Sequence, residues 1–224
     1  MHVQYGKPSA KIGFMNGALI FILLVVAGYI IGSIPSAYLA MRAFTGKDIR
    51  SMGTGSATIT AVIIHGGKLP GAVGLLGETV KAAFCLLIAS LLASESLASE
   101  PWPALVILIA AVYASSYSIS LKGNGGQGQT IMVTGIIMIN PIMVFVIAAC
   151  YVFPLLITRR HLISNHLFHI LLPISLGLVN WQWEWGLAGI LFVLPSVIKQ
   201  IVVGDEVAHA KKISSIGPNS SGAY

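Results

Sequence analysis

Charge is what this sequence lacks. Only 9% of its 224 residues are charged, and just seven are acidic, whereas a soluble domain carries about 25% charged residues. With 56% of the chain hydrophobic, the implied solvent is lipid. Cysteine is nearly absent too. Cys85 and Cys150 both lie in apolar runs, which makes them small core residues rather than a disulfide framework. There is no basic tract to grip a nucleic acid, so no such partner is expected. The net charge of +6 is scattered through short loops between apolar runs, where cations orient helices and meet anionic lipid or substrate. A nucleophile elbow and a Ser-His-Asp order are also missing.

Long apolar runs are present in number. A bilayer core needs about 20 apolar residues per straight helix, and runs at roughly 13–41, 69–92, 102–121, 162–180 and 185–202 qualify. The first is too long for a signal-peptide core and reads as a retained helix. The stretch 128–158 is broken by Asn140-Pro141, because proline removes a donor and disfavours helix in the residue before it. It reads as two elements, 128–139 and 141–158, the first short for a full span.

Loop charge supports two crossings there. With the first helix running inward, Arg42, Lys47, Arg50, Lys68 and Lys122 fall inside and Glu95 and Glu100 outside. Two crossings then put Arg159, Arg160, Lys211 and Lys212 inside, as the positive-inside bias requires. Lys7 and Lys11 oppose this orientation. The expectation is an all-α integral membrane protein of about seven transmembrane helices, one or more short or broken, with glycine-rich cytoplasmic loops. Residues 1–12 form an outer tail, 13–206 the membrane domain and 207–224 a cytoplasmic tail without fixed structure. Trp181, Trp183 and Trp185 would form an outer interfacial belt, and 57–67, too short to cross, would be re-entrant or interfacial.

The stretch "LKGNGGQGQT", Leu121–Thr130, mimics a P-loop through Gly123, Gly128 and Thr130. Gln129 stands where that motif needs lysine, and no strand precedes it, so a nucleotide site is excluded. A second glycine-bearing loop, "GKDIRSMGTGSAT", places Asp48 and Arg50 ahead of Gly53, Thr54, Gly55 and Ser56. Its backbone amides can turn toward an anion, and the arginine fork suits phosphate, although a plain solvated loop has the same composition. Glu78 and Lys81 lie three apart in an apolar run, hence on one helix face. Ionisable groups at that depth are functional candidates, or a structural pair. Ser33 and Ser36 flank Pro35, where a proline kink with a serine on its freed carbonyl competes with a ligand role. His161, His166 and His169 have no acidic or thiol neighbour in sequence, so no metal site is expected.

In order along the chain, these pieces resemble the bacterial membrane-integral acyl-phosphate:glycerol-3-phosphate acyltransferase family. Its first motif, G-S-x-P then D-[IL]-R-x-x-G-S-G-N-x-G-A-T-N-V-x-R-x-x-G then D-x-x-K-G, is matched by Gly32, Ser33, Pro35, Asp48, Ile49, Arg50, Gly53, Gly55, Thr60, Val62 and Gly67. Glu78 and Lys81 keep the last spacing. The second motif, G-H-x-[FY]-P then F-K-G-G-K-G, is similar at Tyr117, Gly125, Gly126 and Gly128. "IKQIVVGDE" resembles the closing I-x-R-L-x-x-G-x-E. The likeness covers about 20–206. The chain departs from the pattern at Ser56, Ala61, Ile64, Ala114, Ser115, Asn124, Gln127 and Leu194, losing an arginine, two lysines and two histidines.

The resemblance implies a seven-span fold in the bacterial inner membrane, amino terminus outside and carboxyl terminus cytoplasmic. It also implies acyl transfer from acyl phosphate to the 1-hydroxyl of glycerol-3-phosphate, giving lysophosphatidic acid. Both substrates are phosphorylated and the acyl chain is lipid-like, so membrane lipid surrounds the site and no cofactor or metal is needed. Arg50 with Gly53, Thr54, Gly55 and Ser56 would hold one phosphate, and Gly125, Gly126, Gln127 and Gly128 the other. Glu78 and Lys81 would organise the polar pocket, and Ser33 would donate a hydrogen bond. Arg159, Arg160 and Ser164 are further candidate phosphate contacts. Two other readings fit the same residues: a catalytically impaired relative that binds lipid or regulates synthesis, and a small-solute transporter using the broken helix and the Glu78–Lys81 pair.

Overall fold

The computed structural model describes residues 17–93, 100–204, 206–207 and 209–210. The expected outer tail, Lys7, Lys11, Glu95, Lys211, Lys212 and most of the 207–224 tail lie outside them. The described residues are helical without strands. They form α1 (Gly17–Gly32), α2 (Ser36–Thr45), α3 (Ile59–Gly66), α4 (Lys68–Leu92), α5 (Trp102–Ser116), α6 (Gln129–Ile139), α7 (Met143–Thr158), α8 (His161–Asn180) and α9 (Trp183–Val203). Short 3-10 turns cover Ile49–Ser51 and Ile119–Leu121.

Apolar residues surround most of these helices, as burial in lipid requires. Leu91, Phe145, Leu156, Ile201 and Val202 are all more than two-thirds exposed, a surface that water would penalise and hydrocarbon does not. Five segments are long and apolar enough to span: 17–45 taken together, 68–92, 102–121, 161–180 and 183–203. The helices α6 and α7 are shorter, 11 and 16 residues, or about 17 and 24 Å.

Long-range hydrogen bonds fix which ends meet. Asn140, between α6 and α7, donates to Asn180 Oδ1 at the end of α8, 3.1 Å away. Both reversals therefore lie at one end of the bundle. At the other end, Tyr29 of α1 reaches the Tyr117 carbonyl after α5, and Gln129 at the start of α6 reaches Asn165 on the first turns of α8. The chain thus runs back and forth between two ends, and α6 and α7 are antiparallel, as the charge argument for 128–158 expects.

Two expected helices are broken. The first run divides at Ser33–Pro35, and the 102–121 run stops at Ser116. Proline explains the first break. Serine hydroxyls do meet a freed carbonyl here, but they come from the connection after α5, and Lys81 of α4 takes the carbonyls on either side. Lys81 Nζ donates to the Ile34 carbonyl at 2.7 Å and the Gly32 carbonyl at 3.4 Å. Ser118 and Ser120 donate to the Ser33 carbonyl at 2.8 and 3.1 Å. The break sits against α4 thirteen residues past Lys68, about 20 Å along that helix. It is well inside the bundle.

The α1–α5 contact explains how this core closes. Gly28 and Gly32 leave no room for a side chain: a Cβ on either would collide with the Ile107 or Ala111 carbonyl oxygen. Small residues four apart allow such close backbone approach between membrane helices, where dispersion replaces the hydrophobic effect. The core then continues through Leu24, Cys85, Leu108, Met132 and Leu172, all fully buried. A smaller cluster of Met41, Ile49, Ala61, Val62 and Leu121 supports the loop after α2.

Candidate active site between two glycine loops

The loop between α2 and α3 begins with Asp48, whose side chain caps the 3-10 turn by accepting from Arg50 N. Arg50 closes back on it with a two-pronged bond, Nε to Oδ1 at 3.0 Å and Nη2 to Oδ2 at 2.7 Å. It also lies over the Tyr38 ring, 5.1 Å from its centroid. The hydrogen bonds from Arg50 pull the Asp48 carboxyl down to about 2, and the same pairing raises Arg50. So Arg50 is engaged within its own loop, and it does not line the cavity described below.

Glu206, just beyond α9, holds the next stretch. Its carboxylate accepts from Thr54 N at 3.0 Å and from the Thr54 hydroxyl, and it lies 2.7 Å from His65 Nε2. Burial alone would raise this carboxyl. The hydrogen bonds from Thr54 and His65 outweigh burial and hold it below the usual carboxylate range. Gly53, at φ +51, passes so close to Glu206 that a Cβ would strike its Oε1. Gly55 N donates to the Met52 carbonyl. Thus two of the four amides expected to face a phosphate already have protein partners.

The second glycine loop folds beneath the end of α5. Gly126 N donates to the Ser115 carbonyl at 3.1 Å, and a Cβ on Gly125 would collide with that same oxygen. Gly128 adopts φ +70 as it enters α6, a left-handed conformation that glycine takes without strain. Ser56 joins the two loops by donating to the Gly125 carbonyl at 3.0 Å.

Where the loops meet, a cavity of about 360 Å³ opens. Its polar wall includes Glu78, Ser115, Gln127 and Asn165, with Gly126 and Gly128 between them. Its apolar wall comes from α6, α7 and α8, through Val133, Ile147, Val152 and Phe168. Gly125 faces a smaller adjoining pocket shared with Glu78 and Ser115. Glu78 and Lys81 pair at 2.8 Å, both buried. Ser115, standing where the resemblance has histidine, points its hydroxyl at Glu78 Oε2, 3.4 Å away.

Of the residues expected from sequence, the cavity gathers Glu78, Gly126, Gln127 and Gly128. Lys81 lies behind it, latching Glu78 to the helix break. Ser33 gives its carbonyl to the serines of the α5–α6 connection, while its hydroxyl is buried with no partner among the described residues. Arg159 and Arg160 are exposed at the α7–α8 turn, and Ser164, fully buried, donates to the Arg160 carbonyl. None of these three lines the cavity. Sequence reasoning missed Glu206, Asn165 and Tyr151 as wall residues. Glu206 closes the stretch "IKQIVVGDE", and Asn165 stands one helical turn after His161 and therefore on its face; Tyr151 left no local signal.

The fold and site together define an integral membrane protein whose glycine loops meet a lipid-like groove. A family model for glycerol-3-phosphate acyltransferase matches residues 22–216. The chain belongs to that family. It is 33% identical to a glycerol-3-phosphate acyltransferase of Rippkaea orientalis over 87% of this chain and 88% of that one. It is 30% identical to glycerol-3-phosphate acyltransferase 2 of a Dehalococcoides mccartyi strain, over 84% and 86%. The crystal structure of PlsY (YgiH) in its glycerol 3-phosphate form shares the fold, with a TM-score of 0.65 at 21% identity over 83% of this chain and 94% of that one.

Proposed function

We propose that this protein is a membrane acyltransferase that moves an acyl group from acyl phosphate to the 1-hydroxyl of glycerol-3-phosphate, giving lysophosphatidic acid. The observation that carries this reading is the cavity itself. It places a glycine loop and a buried carboxylate on one wall and apolar side chains of three helices on the other. An acyl phosphate has the same two-sided character.

The chemistry asks the protein mainly to hold two anionic substrates side by side, which removes much of the entropic barrier. The hydroxyl oxygen attacks the acyl carbonyl carbon, the bond between that carbon and the oxygen bridging to phosphorus breaks, and phosphate departs with the electron pair. Two carboxylates line the cavity among the described residues. Glu206 is occupied by Thr54 and His65, whereas Glu78 Oε2 meets only the long contact from Ser115. Glu78 accordingly takes the hydroxyl proton, with Lys81 holding it in place. Gln127 and Gly128 receive the phosphate of the acyl donor, with Gly125 and Gly126, packed against the Ser115 carbonyl, shaping their entry. Arg50 and the 53–56 loop border the acceptor side. Arg159 and Arg160 add long-range positive charge.

The protein is assigned to the bacterial inner membrane with seven passes, the amino terminus outside and the carboxyl terminus cytoplasmic. The support is distribution of charge: Arg42, Lys47, Lys68, Lys122, Arg159 and Arg160 all belong to connections at the glycine-loop end, while Glu100 and Glu184 belong to the opposite end.

The test is acyl transfer from palmitoyl phosphate to glycerol-3-phosphate by the purified protein in detergent, beside a Glu78→Gln variant. Lysophosphatidic acid formed by the native protein and lost with Glu78→Gln is the expected result. A folded native protein that makes none would overturn the reading in favour of a non-catalytic relative.

A further inference from the structure

Lys199 is a buried ammonium with no acidic partner among the described residues. It sits in α9 with 6% of its surface exposed, and none of the salt bridges among the described residues includes it. Its Nζ donates to the Gly123 carbonyl at 2.5 Å and lies 5.2 Å from the centroid of the Tyr117 ring. An ammonium has three donors, and one is used. An ionisable group within a membrane-spanning helix is costly and asks for a partner.

Other buried side chains of α9 and of the end of α5 are also short of partners among the described residues. Ser196, three residues before Lys199, lies on its face of α9, and Gln200, four residues after Ser196, stands on the neighbouring face. The Ser196 hydroxyl and the Gln200 side-chain nitrogen are both buried and unpartnered among the described residues. So is the Ser116 hydroxyl of α5, which lies beside Gly128, 3.1 Å from where a Cβ would stand. Buried polar groups left without partners are rare and mark a missing ligand, ion or water. Ser116 and Lys199 both stand against the second glycine loop, at Gly128 and Gly123, whose own positions 124 and 127 are the neutral Asn124 and Gln127, and whose one lysine, Lys122, is exposed.

We propose that Lys199 supplies the positive charge for a phosphate group held at the second glycine loop. The cation that positions 124 and 127 of the loop do not carry comes from α9, across 76 residues of chain. The ligand class is a phosphate monoanion or dianion, free or as the phosphoryl end of an acyl phosphate anhydride. Assignment to the acyl donor rests on the function proposed above. Lys199 is then a binding residue for the leaving phosphate as well, since the charge on that group grows as the bond to carbon breaks.

The experiment compares the native chain with Lys199→Met, Lys199→Arg and the double variant Gln127→Lys/Lys199→Met, all full-length in detergent. Two readouts are taken: the KM and kcat for palmitoyl phosphate, and the thermal protection given by inorganic phosphate alone. Lys199→Met is expected to raise KM about tenfold or more with a smaller change in kcat, and to abolish protection by phosphate. Lys199→Arg should keep most of both. A lysine placed in the loop by Gln127→Lys should restore the Lys199→Met protein. Native KM and native protection in Lys199→Met would overturn the proposal. Should Lys199→Met fail to fold, the double variant decides: folding with phosphate protection supports the proposal, and failure to fold makes Lys199 structural and overturns it. If the native protein transfers no acyl group, the function proposed above fails, and phosphate protection alone still judges Lys199.

Discussion

The two glycine loops look alike in sequence and are held by opposite means. The 53–56 loop is fixed by an anion, Glu206, which takes the Thr54 amide and hydroxyl and reaches His65. The 122–128 loop is fixed by a cation, Lys199, and by backbone packing so close that Gly125 has no room for a Cβ. The first loop spends the amides of Thr54 and Gly55, and the second spends those of Lys122, Gly123, Asn124 and Gly126, which leaves Gly125, Gln127 and Gly128 there without a backbone partner among the described residues. Glycine richness therefore reports close packing in both loops, and availability to substrate in the second more than in the first.

The sharpest way to break this comparison is to remove the anion. Glu206→Ala leaves Thr54 and His65 without their buried partner, which costs about 3 kcal/mol when one member of a buried charged cluster is lost. The expected result is a clear drop in detergent Tm together with loss of transfer. Unchanged stability would mean that the first loop holds itself. Next comes Gly125→Ala, whose added methyl collides with the Ser115 carbonyl. Overpacking of this kind costs about 1–3 kcal/mol, and it should damage transfer more than stability because the displaced backbone is the cavity wall. An active, stable Gly125→Ala protein would show that the second loop is slack.

A smaller effect separates the loops by pH. The folded carboxyl of Glu206 lies below its ordinary value of 4.5. Its contribution to stability is therefore complete above about pH 4.5 and disappears as pH falls through the lowered folded value. Acid titration of Tm should expose this step in the native chain. Glu206→Gln, which keeps an acceptor for Thr54 but cannot titrate, should flatten it. A step of the same size in Glu206→Gln would assign the acid sensitivity elsewhere.

Much of this was readable in the chain. The long apolar runs, the interruption at Asn140-Pro141 and the pairing of Glu78 with Lys81 follow from residue type and helical spacing, both local properties. What was not readable depends on chain segments far apart. Glu206 meets Thr54 across 152 residues and Lys199 meets Gly123 across 76, and neither residue's local surroundings announce that meeting. Lys81 was legible as a partner for Glu78. Its second task, satisfying carbonyls freed by Pro35, emerged only when α1 and α4 were seen side by side. Gly28 and Gly32 likewise gain their meaning only from α5 as the neighbour, whose carbonyls leave neither room for a side chain.

The smallest expected effect concerns Asp48 and Arg50, where the sequence suggested a phosphate-binding arginine and the structure gives it an internal partner. Both side chains are about one-third exposed, so water screens their attraction and the pair contributes little to stability. Asp48→Asn should accordingly leave Tm near the native value at pH 7. Because the folded carboxyl of Asp48 is held down at about 2, whatever the pair contributes is present above the ordinary carboxylate value of 3.8 and lost only as pH approaches 2. The informative readout is KM for glycerol-3-phosphate rather than Tm. Asp48→Asn frees the Arg50 guanidinium without moving the loop's backbone turn, since asparagine still accepts from Arg50 N. A lower KM would mean that Arg50 serves the acceptor once released and that Asp48 restrains it. An unchanged KM would make Arg50 a brace of the first loop, leaving recognition of charge to the second loop and α9.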